Sequence, residues 1–159
     1  EPDLQRLLEG FGEAGVPREG PPLVEAARLR EVARAAKGAG YTLLSFIVAS
    51  HWPAPPPKPG EEPPAVPAVD TFEVAYGVRR PGKGAALAAW RVRIPFNEAL
   101  DSLVPIFAGA DWQEREQFDL VGVRFRGHPD LRRLLLPEAW VGHPLRRDYP
   151  IDKPSPPWR

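Results

Sequence analysis

Cysteine and methionine are both missing from the 159 residues, and asparagine occurs once, at Asn97. Without cysteine the chain can form no disulfide, no thiolate nucleophile, no Cys-ligated iron–sulfur cluster and no Cys-containing zinc site. Apolar runs are short. None approaches the ~20 residues that cross a bilayer, so any membrane association is expected to be indirect, with no direct span. Net charge is also zero, from 21 basic and 21 acidic groups, which removes the long-range field of a dedicated nucleic-acid binder. No basic-then-apolar leader opens the chain, which predicts a cytoplasmic location. Residue 1 is glutamate, which predicts a trimmed or processed start. A Gly-rich phosphate loop, a dinucleotide fingerprint and a nucleophile elbow are all absent.

Proline is abundant instead, at 22 residues, and with 14 glycines makes 36 of 159. That share falls just under the roughly 25–30% that marks general disorder, so the prolines should be concentrated. From Pro53 to Pro67, 8 of 15 residues are proline, which predicts a stiff surface loop over 53–67 in polyproline-II conformation. Around that loop the pattern is ordered. Leu4, Leu7, Leu8 and Phe11 have helical spacing. Leu23, Ala26, Leu29, Val32, Ala33 and Ala36 form the apolar stripe of a second helix that begins at Pro21–Pro22 and stops at Gly38–Ala39–Gly40. Tyr41 to Ser50 reads as a strand buried on much of both faces. Phe72, Val74, Tyr76 and Val78 alternate in a second strand, and Ala88, Trp90, Val92 and Ile94 in a third, joined by a Gly/Pro turn as an antiparallel hairpin.

After Pro95 the pattern turns helical again. Asp111 is positioned as an N-cap with Glu114 three residues on to complete a capping box, and Gly122 closes the helix. This order predicts an α+β two-layer domain over 1–123, with N-terminal helices packed on a small, largely antiparallel or mixed sheet.

Residues 124–159 differ. Gly127-His128-Pro129-Asp130-Leu131-Arg132-Arg133 is echoed by Gly142-His143-Pro144-Leu145-Arg146-Arg147, and repeated prolines allow at most one helical turn. Six arginines from Arg124 to Arg147 face only Asp130 and Glu138. Leu134, Trp140 and Leu145 beside them argue against a fully solvated tail. An extended strip with apolar anchors and paired arginines, too irregular to build its own interior, predicts an arm ordered by lying on another protein. His128 and His143 match no metal-ligand spacing. Arg115, Glu116 and Asp119 share a helix turn. They read as an acid/base cluster or, since no nucleophile or metal accompanies them, as an Arg115–Asp119 pair with Glu116 left for an N–H or a partner's arginine.

Glu114-Arg115-Glu116-Gln117-Phe118-Asp119-Leu120-Val121-Gly122-Val123, continued by Gly127 to Leu135, closely resembles the C subunit of bacterial proton-translocating NADH–quinone oxidoreductase (respiratory complex I). Trp140-Val141-Gly142-His143-Pro144-Leu145-Arg146-Arg147-Asp148-Tyr149-Pro150 is similar to that family's second hallmark. Val121, where a larger residue is common, and Ala139, where an acid is common, depart from the family's pattern. The resemblance implies a cofactor-free structural subunit of the peripheral arm on the cytoplasmic side of the membrane. Its C-terminal arm would dock on the quinone-site subunit (the D subunit of such complexes), near the neighbouring iron–sulfur subunits. FMN and iron–sulfur clusters would belong to the assembled complex, which passes electrons from NADH to quinone, and the chain alone would be non-catalytic. Implied docking residues are Glu114, Arg115, Glu116, Asp119, His128, Arg132, Arg133, Trp140, His143, Arg146, Arg147, Asp148 and Tyr149. Among them Arg132, Arg133, Arg146 and Arg147 would pair partner carboxylates, and Trp140 and Tyr149 would be apolar anchors. Three alternatives stay open. They are the equivalent subunit of a membrane-bound hydrogenase or ferredoxin-fed complex, a stand-alone RNA-binding module, and a metal-dependent hydrolase built on His128 and His143.

Overall fold

A computed structural model describes the chain at residue 8 and over residues 20–56, 68–82 and 87–152. The expected first helix lies outside these residues except for Leu8, which is helical and fully buried. Most of the proline loop lies outside them too.

Four strands form one sheet, β1 (Leu23–Val24), β2 (Leu43–Trp52), β3 (Thr71–Arg79) and β4 (Leu87–Pro95), in the order β1-β4-β3-β2. The predicted hairpin is present, with Phe72 opposite Ile94, Val74 opposite Val92 and Tyr76 opposite Trp90. All six side chains are buried, because alternation in two strands of matched register puts every apolar residue on the same face.

Two expectations for residues 21–52 are corrected. The second helix does not begin at Pro21–Pro22. The prolines hold the chain extended, Pro22 O accepts a hydrogen bond from Arg91 N at 2.8 Å, and Leu23–Val24 pairs parallel to β4. A 3₁₀ turn at Ala26–Arg28 follows, and α1 runs over Leu29–Gly38 with Leu29, Val32, Ala33 and Ala36 buried. The strand after it is not buried on both faces. β2 is a sheet edge, and Leu43, Val48 and Trp52 on it are exposed. Its composition suits a pleated surface whether one face or two are covered.

The segment after Pro95 is not directly helical. Ala99–Asp101 forms β5, which pairs parallel with β6 (Arg124–Arg126) in a separate two-stranded sheet. Strands of three residues are too short to leave a period in the sequence. Because β6 is one of the two strands, the 123/124 boundary falls at the edge of a folded element. Between them α2 spans Ala110–Leu120. Its N-cap is Gly109, not Asp111, and no side chain caps it. Gly122, at φ +91°, ends it as expected. A Cβ there would also stand 2.8 Å from the His143 ring.

The core joins α1, the inner faces of β2–β4, and Leu100, Leu103, Phe107, Val121, Val123 and Phe125 around α2. Trp90 is its largest fully buried side chain and stacks on Tyr76 with centroids 5.7 Å apart. Replacing Trp90 by alanine is expected to lower unfolding free energy by about 3–5 kcal/mol in denaturant titration. A loss below about 1 kcal/mol would mean that the stack is not part of a close-packed interior.

Candidate docking site

The buried face of α2 is largely polar: Glu114, Gln117 and Asp119 are all buried. Such groups are tolerated only where they find partners. Each does so by accepting a backbone N–H from a different segment. Glu114 Oε1 accepts from Leu103 N at 2.6 Å, Gln117 Oε1 from Ala49 N of β2 at 2.9 Å, and Asp119 from the C-terminal segment.

Asp119 is the densest of these points. Its Oδ2 accepts the consecutive N–H groups of Leu134, Leu135 and Leu136 at 3.0, 2.7 and 2.9 Å, while Oδ1 meets Arg133 Nη1 at 2.6 Å. The Arg133 fork goes on to Trp140 O and Gly142 O at 2.9 and 3.0 Å. His143 Nδ1 donates to Asp119 O at 2.8 Å, and its ring meets Phe118 edge-on. Leu145 N reaches Leu120 O at 2.9 Å, so main-chain bonding ties the same stretch to the end of α2. Arg115 does not pair Asp119 as expected. It donates to Arg132 O and Arg133 O at 3.2 and 3.1 Å.

Burial pushes the Asp119 carboxyl up, but the Leu136 N–H, the Arg133 guanidinium and the Leu135 and Leu134 N–H groups outweigh it and hold it below its ordinary value. The Asp119 contribution to folding is therefore complete above the ordinary carboxylate range and is lost as pH falls through the depressed value. Glu114 behaves oppositely. Burial raises it despite the Ser102 hydroxyl, the Leu103 N–H, His128 and Arg30, and its Oε2 is buried without a hydrogen-bond partner among the described residues.

His128 lies beside Glu114 with its ring fully enclosed. Nδ1 accepts from Asp130 N at 3.0 Å, and Nε2 lies 3.1 Å from Asp111 O. Both ring nitrogens of His128 are thus occupied by the chain's own backbone. Among the described residues no three His, Asp or Glu side chains converge as a metal site.

The end of the arm touches the body a second time. Arg146 forms a two-pronged pair with Asp148, and its guanidinium lies 4.3 Å from the Phe96 ring centroid. Arg147 lies 4.9 Å over Trp52 of β2. Asp148 Oδ1 is 3.8 Å from Nδ1 of the buried His51.

The arm as read from sequence is therefore corrected on one point of physics: its groups are largely satisfied within the chain. Arg133 pairs Asp119, Arg132 pairs Asp130, and Arg146 pairs Asp148, where carboxylates of a partner were expected. Glu114 and Asp119 are interior struts. Glu116 on α2, Trp140 and Tyr149 are half-buried, and the Trp140 Nε1 is enclosed without a hydrogen-bond partner among the described residues. Arg147 remains exposed. Sequence reasoning missed His51, Asp70, Phe96 and Trp52, which lie far from the motifs and carry no pattern of their own.

The profile of the family described as "Respiratory-chain NADH dehydrogenase, 30 Kd subunit" matches residues 23–155, sheet and arm together. The chain belongs to that family. Among curated relatives, the NADH-quinone oxidoreductase C subunit of Rhizobium rhizogenes is 38% identical over 115 residues, covering 70% of this chain and 48% of that protein. The NAD(P)H-quinone oxidoreductase J subunit of a Synechococcus species is 53% identical over 70 residues, 42% of this chain and 40% of that one. The chain spans less than half the length of these relatives. A solved structure, "Nqo5 of the trypsin-resistant fragment (1-134)", superposes with a TM-score of 0.59 at 27% identity, covering 80% of this chain and 98% of that one.

Two substitutions test the polar face of α2. Asp119→Asn leaves either the Arg133 guanidinium or a run of N–H groups facing an amide NH₂. It should cost about 3–5 kcal/mol in denaturant unfolding at pH 7, and a cost under about 1 kcal/mol would empty the hub of significance. Glu114→Gln keeps the Leu103 bond and removes a buried charge, so its thermal midpoint should exceed the parent's at pH 8 and match it at pH 4. An equal or lower midpoint at pH 8 would contradict the raised Glu114.

Proposed function

We propose that this chain is a cofactor-free structural subunit of the peripheral arm of an NADH–quinone oxidoreductase, docked through its C-terminal segment on the quinone-site subunit. The observation that supports this best is how apolar the outer side of the pinned arm is. Leu135, Val141 and Leu145 are 61%, 70% and 62% exposed, and Trp112 on α2 is 66% exposed. An arm held down by an internal carboxylate while its leucines and valine face outward has the composition of an interface core awaiting its other half. Arg147 and Arg124, both exposed, lie on that segment as candidate rim charges.

In this reading the electron carriers, FMN and iron–sulfur clusters, sit on neighbouring subunits, and the chain supplies shape and fixed charge beside the quinone site. Placement on the cytoplasmic side of the membrane belongs to the same proposal. No helix among the described residues is long and apolar enough to cross a bilayer. Partner carboxylates have a smaller role than the arginine count suggests, since Arg132, Arg133 and Arg146 are already paired. Apolar contact carries the affinity. A second reading, the equivalent subunit of a related quinone-reducing complex, draws on the 53% identity to the Synechococcus NAD(P)H-quinone oxidoreductase J subunit. The protein that co-purifies from native membrane separates the two.

Val141→Glu with Leu145→Glu alters side chains already in water, so unfolding free energy should move by no more than about 0.5 kcal/mol. Recovery of the quinone-site subunit with the tagged chain should nevertheless fall at least about tenfold. Undiminished recovery would show that the arm's apolar side is not the docking surface. The purified chain is also expected to show no flavin or iron–sulfur absorbance and no NADH oxidation, and a bound chromophore would overturn the cofactor-free assignment.

A further inference from the structure

His51, on the inner face of β2, is 2% exposed and lies between the rings of Phe72 and Phe96, each 5.7 Å away. Two carboxylates from different parts of the chain approach its two nitrogens. Asp70, just ahead of β3, places Oδ2 at 3.1 Å from Nε2, and Asp148 on the arm places Oδ1 at 3.8 Å from Nδ1. Nδ1 is buried and makes no hydrogen bond among the described residues.

A neutral imidazole has one N–H to offer two acceptors. With that hydrogen on Nε2 toward Asp70, the Nδ1 lone pair faces the Asp148 anion, a repulsive arrangement in an enclosed setting. Addition of a proton turns Nδ1 into a donor and makes one cation between two anions. We infer that His51 is a proton-dependent catch for the end of the arm, gripping Asp148 when its ring is charged and loosening it when neutral.

The other ionisable groups at the site do not compete for this role. The Ala54 N–H, with smaller help from His51, holds Asp70 below its ordinary value, and Arg146 does the same for Asp148. Both carboxylates therefore stay charged wherever an imidazole titrates, which is between about pH 5 and 8. Arg146 is permanently charged and already bound to Asp148, so it sets a constant background. Arg147, stacked on Trp52, is likewise constant in charge. Only the imidazole changes state, and it changes at a contact that joins the arm to the sheet. The first anchor, around Asp119, stays in place meanwhile, so the catch governs residues 146–149 rather than the whole arm.

The test uses the full chain without any partner, so it stands or falls separately from the docking proposal. Tyr149 N donates to Arg146 O at 3.2 Å and serves as the reporter. Its hydrogen-exchange protection, corrected for the intrinsic pH dependence of exchange, is measured by NMR at pH 8 and pH 5.5. Protection should rise several-fold at the lower pH in the parent chain, as the ring gains a hydrogen on the nitrogen facing Asp148. Asp148→Asn, at a half-exposed position, should reduce that rise to less than about twofold because the charged acceptor is gone. Flat protection in the parent would overturn the inference. A full rise surviving in Asp148→Asn would overturn it too.

Discussion

The polar face of α2 is the constraint on which the rest of this fold depends. Glu114, Gln117 and Asp119 are buried, and each accepts main-chain N–H groups from a different segment: the loop at Leu103, edge strand β2 at Ala49, and the arm at Leu134–Leu136. An apolar helix face in that position would pack, but would leave those N–H groups without acceptors. The helix thus joins three pieces of chain that have no strand pairing with one another. Gln117 also occupies an N–H on the sheet edge that would otherwise stand open to pairing with another chain.

For the docking proposed above, this arrangement means that the segment is ordered before any partner arrives. An arm ordered only by its partner would lose conformational freedom on binding, at a cost in affinity. Here the Asp119–Arg133 pair, the His143 bond and the Leu145–Leu120 bond hold its course in advance. The outward leucines and valine are then presented on a preformed track. Arginines that looked like reaching groups are instead the fasteners, which explains why they lie next to backbone carbonyls as often as carboxylates.

Much of this was legible in the sequence where one residue's neighbours in the chain decide its environment. Alternation at Phe72–Val78 and Ala88–Ile94 identified the hairpin and its buried face, and the stripe from Leu23 to Ala36 identified α1, although it also took in β1 and the 3₁₀ turn. Less legible were features whose pairing is distant. The strand at Leu23–Val24 lies beside β4, almost seventy residues on, and β5 beside β6 across a whole helix. Two or three residues carry no period, and their pairing has no local cause.

Family membership rested on contiguous motifs, and the match over residues 23–155 includes them. The chemistry of those motifs was another matter. Sequence alone determined which residues are charged, which are apolar, and that prolines leave the last third room for at most one helical turn. Only the tertiary structure decided where those charges are spent. Whether Arg133 faces a partner or Asp119 depends on an approach between segments fourteen residues apart around a glycine turn at Gly122. A guanidinium in water and a guanidinium in a buried fork are written with the same letter, and only the surrounding acceptors distinguish them.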